Sequence, residues 1–204
     1  MTSTLQQDFG NIDIYLFDQL LKGTYDSCRK VLDAGCGGGR NLVYLLQNGF
    51  EVYGIDSDAG AIETVKLLSQ KLSPGNSTDN FKIAFVEDLP FEDVYFDLVI
   101  CNTVLHFADN KDHFDQMMRS IWRVLKPGGF FFARLASDIG IETLVQPLGD
   151  GRYHLPDGSD RFLVNQQFLL DRTKSLGAQL HEPIKTTNVQ NTRAMTTWCL
   201  RKGS

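Results

Sequence analysis

One stretch limits what this chain can become more than any other. Lys30–Ala34 is a short apolar strand that runs straight into Gly35, Gly37, Gly38 and Gly39, and a helical stripe through Leu42, Val43, Leu45 and Leu46 follows at once. Glycines at such a bend let the backbone approach a ligand, and the helix N-terminus beyond them favours a carboxylate or a phosphate. The rest of the chain continues the alternation that this strand, turn and helix begin. Glu51–Asp56, Phe81–Val86, Phe96–Asn102 and Phe130–Leu135 read as further strands. Between them lie helices, one with an apolar face of Ile62, Val65, Leu68 and Leu72, another with Phe114, Met117, Met118, Ile121 and Leu125 recurring at three and four. Strands alternating with helices predict an α/β fold with a mainly parallel sheet covered on both faces.

Both flanks carry additions to that core. Ile12, Leu16, Leu20 and Leu21 recur at helical spacing, with Phe9, Tyr15 and Phe17 beside them, and predict one amphipathic helix over Leu5–Tyr25. It belongs to a helical cap over residues 1–29. Residues 137–165 are rich in Gly, Pro, Asp and Arg. A connection of that length predicts a lid or binding element inside the domain that runs from 30 to 204. A helix over Gln166–Leu176 stops at Gly177. The strands Gln179–Thr187 and Arg193–Arg201 then flank the turn Asn188–Asn191, as an antiparallel hairpin on a sheet edge.

Composition narrows the function classes. With 204 residues, 42% of them hydrophobic, the chain fits one α/β domain, so the function must sit on that domain and its decorations. The net charge of −5 argues against binding that rests on neutralising phosphates, so no nucleic-acid partner is expected. Cys28, Cys36, Cys101 and Cys199 match neither a CxxC pair nor a zinc set, and read as reduced, mostly buried thiols with no metal site. No apolar run approaches the ~18–20 residues of a membrane span, and nothing resembles a signal peptide, so a cytoplasmic protein without membrane contact is expected.

Two ligand classes compete for the glycine turn. Dinucleotide binding favours G-x-G-x-x-G, and the last glycine slot here holds Arg40. Asp56 closes the second strand, where a carboxylate can accept from both hydroxyls of a ribose, and NAD enzymes place an acid at a similar distance. Asp33-x-Gly35-x-Gly37, with Val31 and Leu32 before it, resembles the first motif of the class I S-adenosylmethionine-dependent methyltransferases. Leu89-Pro90-Phe91, Phe96–Asn102 and Leu125-Lys126-Pro127-Gly128-Gly129 are similar to later motifs of that family and fall in its order, over roughly residues 30–135. The resemblance implies a single-domain, Rossmann-like, doubly wound sheet of seven mainly parallel strands, ending in the antiparallel hairpin. It also implies S-adenosylmethionine as cofactor, left as S-adenosylhomocysteine. Asp33, Gly35, Gly37 and Asn41 would cradle its methionine part, Asp56 and Ser57 its ribose, and Asn102 would line the methionine arm. The family's adenine-reading Asp-Ala is replaced by Phe85-Val86, so adenine recognition falls to backbone, Glu87 or Asp88.

Nothing matches the Asn/Asp-Pro-Pro-aromatic motif of amino-methylating nucleic-acid enzymes. The stretch Cys101-Asn102-Thr103-Val104-Leu105-His106 stands in its place. Arg40-Asn41 and Asn48-Gly49 look like the tellurite-resistance branch, and Leu89-Pro90-Phe91 and Val104-Leu105-His106 like the ubiquinone/menaquinone-biosynthesis type. Both imply a small-molecule acceptor. His106 is the candidate general base, since it follows the fourth strand and can titrate near neutral pH. Tyr15, Asp18, Tyr25, Arg152, Tyr153, His154 and Arg161 are the candidate acceptor-binding residues, in the two decorations that would cap the pocket. As a group they suggest a planar or anionic acceptor. Trp122 and Trp198 follow core periodicity. An NAD(P)-dependent oxidoreductase and a binding module without turnover are the competing readings.

Overall fold

The computed structural model describes residues 4–203; the first three residues of the expected cap and the last residue of the chain lie outside them. The chain opens with α1 (Leu5–Phe9) and α2 (Ile14–Leu21), then β1 (Lys30–Ala34), α3 (Val43–Gln47), β2 (Glu51–Asp56) and α4 (Ala59–Leu72). It continues through β3 (Phe81–Ile83), β4 (Phe96–Asn102), α5 (Lys111–Val124) and β5 (Leu125–Ser137). Three short strands follow, β6 (Gln146–Gly149), β7 (Arg152–His154) and β8 (Asp160–Phe162). The chain closes with α6 (Gln166–Ser175), β9 (Ala178–Leu180), β10 (Lys185–Val189) and β11 (Arg193–Lys202).

The main sheet has the order β10-β11-β5-β4-β1-β2-β3, and β9 adds an eighth strand against the far end of β11. β3, β2, β1, β4 and β5 run parallel, while β11 is antiparallel to β5, β9 and β10. Strand order reverses beside β1, which opens a crevice at the carboxyl ends of β1 and β4. The strands are apolar on both faces because both are covered. Leu32, Val99, Cys101 and Phe131 pack under α5 and α6, with Phe114, Met118, Ile121 and Leu169. Val31, Leu98, Ile100 and Phe132 pack on the other face under α2, α3 and α4, with Leu16, Leu45 and Ile62. Trp198 is fully buried, as expected; Trp122 is partly buried against the same core and donates from Nε1 to Leu176 O at 2.9 Å.

Five local expectations differ from the structure. The single N-terminal helix is two, because Gly10 takes φ 61° and Asp13 caps a second start by accepting from Tyr15 N. The third strand ends at Ile83 and gives way to a 3-10 turn over Val86–Asp88. The expected strand Gln179–Thr187 is two strands, β9 and β10, interrupted by a stretch that holds Pro183, which has no N–H to give a ladder. Residues 137–165 are also not a plain loop. β6, β7 and β8 form their own antiparallel sheet, anchored by Phe162 against Phe114 and by Leu155 and Leu163 against Ala136. The fifth strand, expected over Phe130–Leu135, runs over Leu125–Ser137 and takes in Lys126–Gly129. That stretch is absorbed between the pairs Phe96↔Leu125 and Leu98↔Phe130, where β5 advances five residues against two of β4.

Candidate functional site

A cleft of about 600 Å³ lies at the carboxyl ends of β1, β2 and β4. The glycine turn forms its floor. Gly35 N and Cys36 N donate to Ile55 O at 2.8 and 2.9 Å, which ties the turn to the end of β2. Gly35 has φ 88°, and a Cβ there would stand 2.2 Å from Val104 Cγ2. Only glycine fits, by conformation and by space. Gly37, at φ 50°, has nothing within 4 Å of its missing Cβ, because that side faces the open cleft. Its N–H donates to Asp56 Oδ2 at 2.8 Å, and Asp58 N donates to Asp56 Oδ1 at 3.0 Å. Turn and acid are therefore fixed to each other.

Two buried side chains beside this floor lack partners. Asp33 has no exposure, and neither carboxylate oxygen accepts a hydrogen bond. Burial pushes its pKa up to about 8, against a lowering by Arg40 and with a further rise from Asp56. Asn102, at the end of β4, is 4% exposed and leaves both its amide oxygen and nitrogen unmatched. Native proteins rarely leave such groups without a partner, so the pair marks a place for a polar ligand. Thr103 follows at φ 63°, an unfavourable conformation for a β-branched residue, with its hydroxyl donating to Asn102 O at 2.6 Å. Backbone strain of this kind concentrates at binding sites.

Of the residues singled out in the sequence, Gly35, Gly37, Asp56, Ser57, Glu87 and Asn102 line the cleft together. Asp33 lies behind the turn, fully buried. Glu87 faces the cleft within 3.5 Å of His113 Nε2, whereas Asp88 is exposed in a separate groove with Gln116 and Arg119. Asn41 does not reach the cleft lining. It is buried, and its Oδ1 accepts from Asp13 N at 3.0 Å, which anchors the N-terminal segment.

The structure also relocates His106. Its Nδ1 accepts from Ala136 N at 3.2 Å, so the lone pair is spent on the backbone and Nε2 carries the proton. Burial, with help from Arg161, lowers its pKa to about 4. A neutral ring with its acceptor nitrogen engaged takes no proton from an acceptor, which corrects the expectation of a general base.

The expected acceptor-binding group separates. Tyr25 is 1% exposed, packed edge-on to Phe130 at 5.6 Å. Asp18 joins a surface ion-pair network with Lys22 and Lys185. Tyr15 bonds Thr187 Oγ1 at 2.6 Å and lies under Arg134. Arg152 donates to Ala108 O at 3.1 Å, Tyr153 packs on the small core around Leu155, and His154 pairs with Asp160 at 2.6 Å. Arg161 stands over the ring of Phe107, 4.9 Å from its centre, and Phe107 does line the cleft. Ile55, Ala84, Phe85, Val86, Thr103, Val104, Phe107, Asp109, His113 and Met117 complete the lining and were not singled out as site residues. Phe85-Val86 is their one visible signal, as the place where the family's acid is missing.

The methyltransferase-domain model matches residues 32–133. An uncharacterized methyltransferase of Synechocystis sp. is 36% identical over 103 residues, which are 50% of this chain and 45% of that protein. A ubiquinone biosynthesis O-methyltransferase of Pseudomonas fluorescens is 31% identical over 137 residues, covering 61% of this chain and 56% of that protein. The chain thus spans about half the length of the curated relatives it matches. Among solved structures, 1,6-didemethyltoxoflavin-N1-methyltransferase of Burkholderia thailandensis has bound 1,6-didemethyltoxoflavin and S-adenosylhomocysteine. It superposes with a TM-score of 0.68 at 18% identity, over 97% of this chain and 80% of that chain. At that identity the likeness is one of fold.

Proposed function

The chain belongs to the methyltransferase-domain family, and from that premise we propose that it is an S-adenosylmethionine-dependent enzyme that methylates a small-molecule acceptor in the cleft. The observation that carries this reading is the set of unmatched polar groups around the glycine turn. Asn102, buried, without partners and lining the cleft, suits the charged end of an amino acid, and Asp33 stands behind the turn with both oxygens unmatched. Asp56, held by Gly37 and Asp58, keeps further lone pairs for the two hydroxyls of a ribose. Phe85 and Val86 offer apolar surface to a purine, and Glu87 an acceptor at its edge. A pyrophosphate would instead set its charges beside Asp33 and Asp56, with Arg40 in the third glycine slot, and that disfavours a dinucleotide.

S-adenosylmethionine supplies a methyl group on a positively charged sulfonium, open to in-line attack. The chain's own contribution is to hold the acceptor at attack distance between the end of β4 and the Phe107 rim and to keep water out. Proximity and orientation of this kind contribute up to ~7–11 kcal/mol. Met117, Val104 and Phe107 give the cleft the apolar walls this needs. His106 has no place in the proton chemistry. An acceptor that is already an anion at neutral pH needs no such base. A cytoplasmic location accords with the four free, buried thiols.

Calorimetric titration with S-adenosylhomocysteine tests the reading. Micromolar affinity is expected for the wild type, and Asp56→Ala should weaken it by roughly ten- to a hundredfold, the worth of hydrogen bonds to a charged group. NADH binding in place of S-adenosylhomocysteine would overturn it. Homocysteine release with small anionic acceptors, and none with duplex DNA or tRNA, would support the acceptor class.

A further inference from the structure

Among the described residues, seven buried side-chain polar atoms have no partner, and six of them belong to Asp33, Asn102, Arg134 and Thr197. These residues sit on four neighbouring strands. Arg134 is directly beside Asn102 across the β4–β5 ladder and directly beside Thr197 across the β5–β11 ladder. Asp33 is beside Ile100, two residues before Asn102. By the alternation of strand side chains, all four share the phase of Val31, Ile100, Phe132 and Cys199, the face that α2 and α3 cover. The unmatched atoms therefore form one row, beginning at the glycine turn and running away from it under the N-terminal segment. Asp33 and Asn102 are accounted for by the cofactor reading. Arg134 and Thr197 lie one and two strands further on and need another explanation.

Arg134 indicates the chemistry. Its Nη1 donates to Asp13 Oδ2 at 2.8 Å, and its guanidinium lies 5.2 Å from the centre of the Tyr15 ring. Its Nε is buried and unmatched. Arg172 shows what the Nε edge of a guanidinium takes in this molecule: Nε and Nη2 donate to the two oxygens of Asp115 at 2.7 and 2.9 Å. That fork fits a carboxylate in both length and spacing. In Arg134, Asp13 occupies only the other side. Thr197 and Asn102, each 4% exposed, neighbour Arg134 in register on its two sides, and the unmatched Thr197 hydroxyl adds a further donor to the row. Asn102 also lines the cleft, so the row opens into it. The Arg134 side chain keeps 19% exposure, so the place is not sealed.

We propose that Arg134, with Thr197 beside it, is a carboxylate-binding subsite, and that the methyl acceptor is a small carboxylic acid anchored there by its carboxylate. The inference rests on the methyltransferase reading for the word acceptor; the subsite itself does not. Asp13 keeps the guanidinium in place, with the Tyr15 ring beside it.

The test uses the full chain with saturating S-adenosylhomocysteine, titrated calorimetrically with acetate, hexanoate and benzoate and with their neutral amides. At least one carboxylate is expected to bind tenfold or more tightly than its amide. Arg134→Lys keeps the charge opposite Asp13 but has no fork. It should erase that preference while holding S-adenosylhomocysteine affinity within twofold, with thermal unfolding measured alongside to check that the domain stays folded. Thr197→Val, a second and milder change, should reduce the preference severalfold. Equal binding of acids and amides, or no binding of any probe, would overturn the proposal. Loss of S-adenosylhomocysteine affinity in Arg134→Lys would overturn it too, by giving the edge to the cofactor's own carboxylate. Failure of the wild type to bind S-adenosylhomocysteine would sink the earlier reading instead, and carboxylate preference in the unliganded protein would still decide this one.

Discussion

Asp33 is a carboxyl group held where water cannot reach it, with a pKa pushed from 3.8 up to about 8 by burial. A carboxyl that binds its proton more tightly when folded adds stability below its unfolded value, and this is lost as pH rises through the folded value. Between pH 4 and pH 8 the protein should therefore lose stability, as deprotonation favours the unfolded chain. Asp33→Asn should flatten that slope, measured by urea midpoints across the range, and an unaltered slope would show that Asp33 is not its source. That Gly35, Gly37 and Asp56 would meet at one cleft was legible in the sequence, because two local patterns, a strand ending in glycines and the next strand ending in an acid, place them side by side. The bonds that Asn41 and His106 make were hidden for the opposite reason. Their roles are set by Asp13 N and Ala136 N, 28 and 30 residues away, and no spacing in the chain announces those bonds.

Elements whose signal is periodic apolar burial came out as expected: β1, β2 and β4 have the bounds their residues implied, because both faces of each strand are covered. β6 was invisible because its four residues, Gln146-Pro147-Leu148-Gly149, are all exposed and alternate nothing. Its sheet is held by neighbours, Phe114 and Ala136 among them, that belong to other parts of the chain. The N-terminal segment is the element most dependent on a single side chain. Asp13 caps α2 through Oδ1 and pairs with Arg134 through Oδ2, at 1% side-chain exposure. Removing one partner of a buried ion pair strands the other charge. Asp13→Asn, which keeps the cap, should cost about 3 kcal/mol in chemical unfolding, and Asp13→Ala about 1 kcal/mol more for the lost cap. A change below half a kcal/mol in Asp13→Asn would mean that Arg134 finds water instead.

At the scale of the whole molecule, the central sheet shields all four thiols. Cys28, Cys36, Cys101 and Cys199 are at most 4% exposed, and burial pushes Cys28 and Cys199 up to about 12 and the other two higher still. Thiol chemistry needs an exposed thiolate, so none should react with Ellman's reagent at pH 8 until the domain opens. Labelling rates of all four should then coincide with global unfolding, and one fast-reacting thiol would reveal a region that opens alone. The layout of layers and the crevice at the strand reversal followed from the order of strands and helices, whereas the row from Asp33 to Thr197 needed the registers of β1, β4, β5 and β11. The bond from Gly37 to Asp56 has a last consequence. Because the grip is assembled during folding, an arriving molecule has no loop to tidy. Capture should run as one kinetic phase set by encounter, and discrimination among visitors should be exercised in how long each one stays.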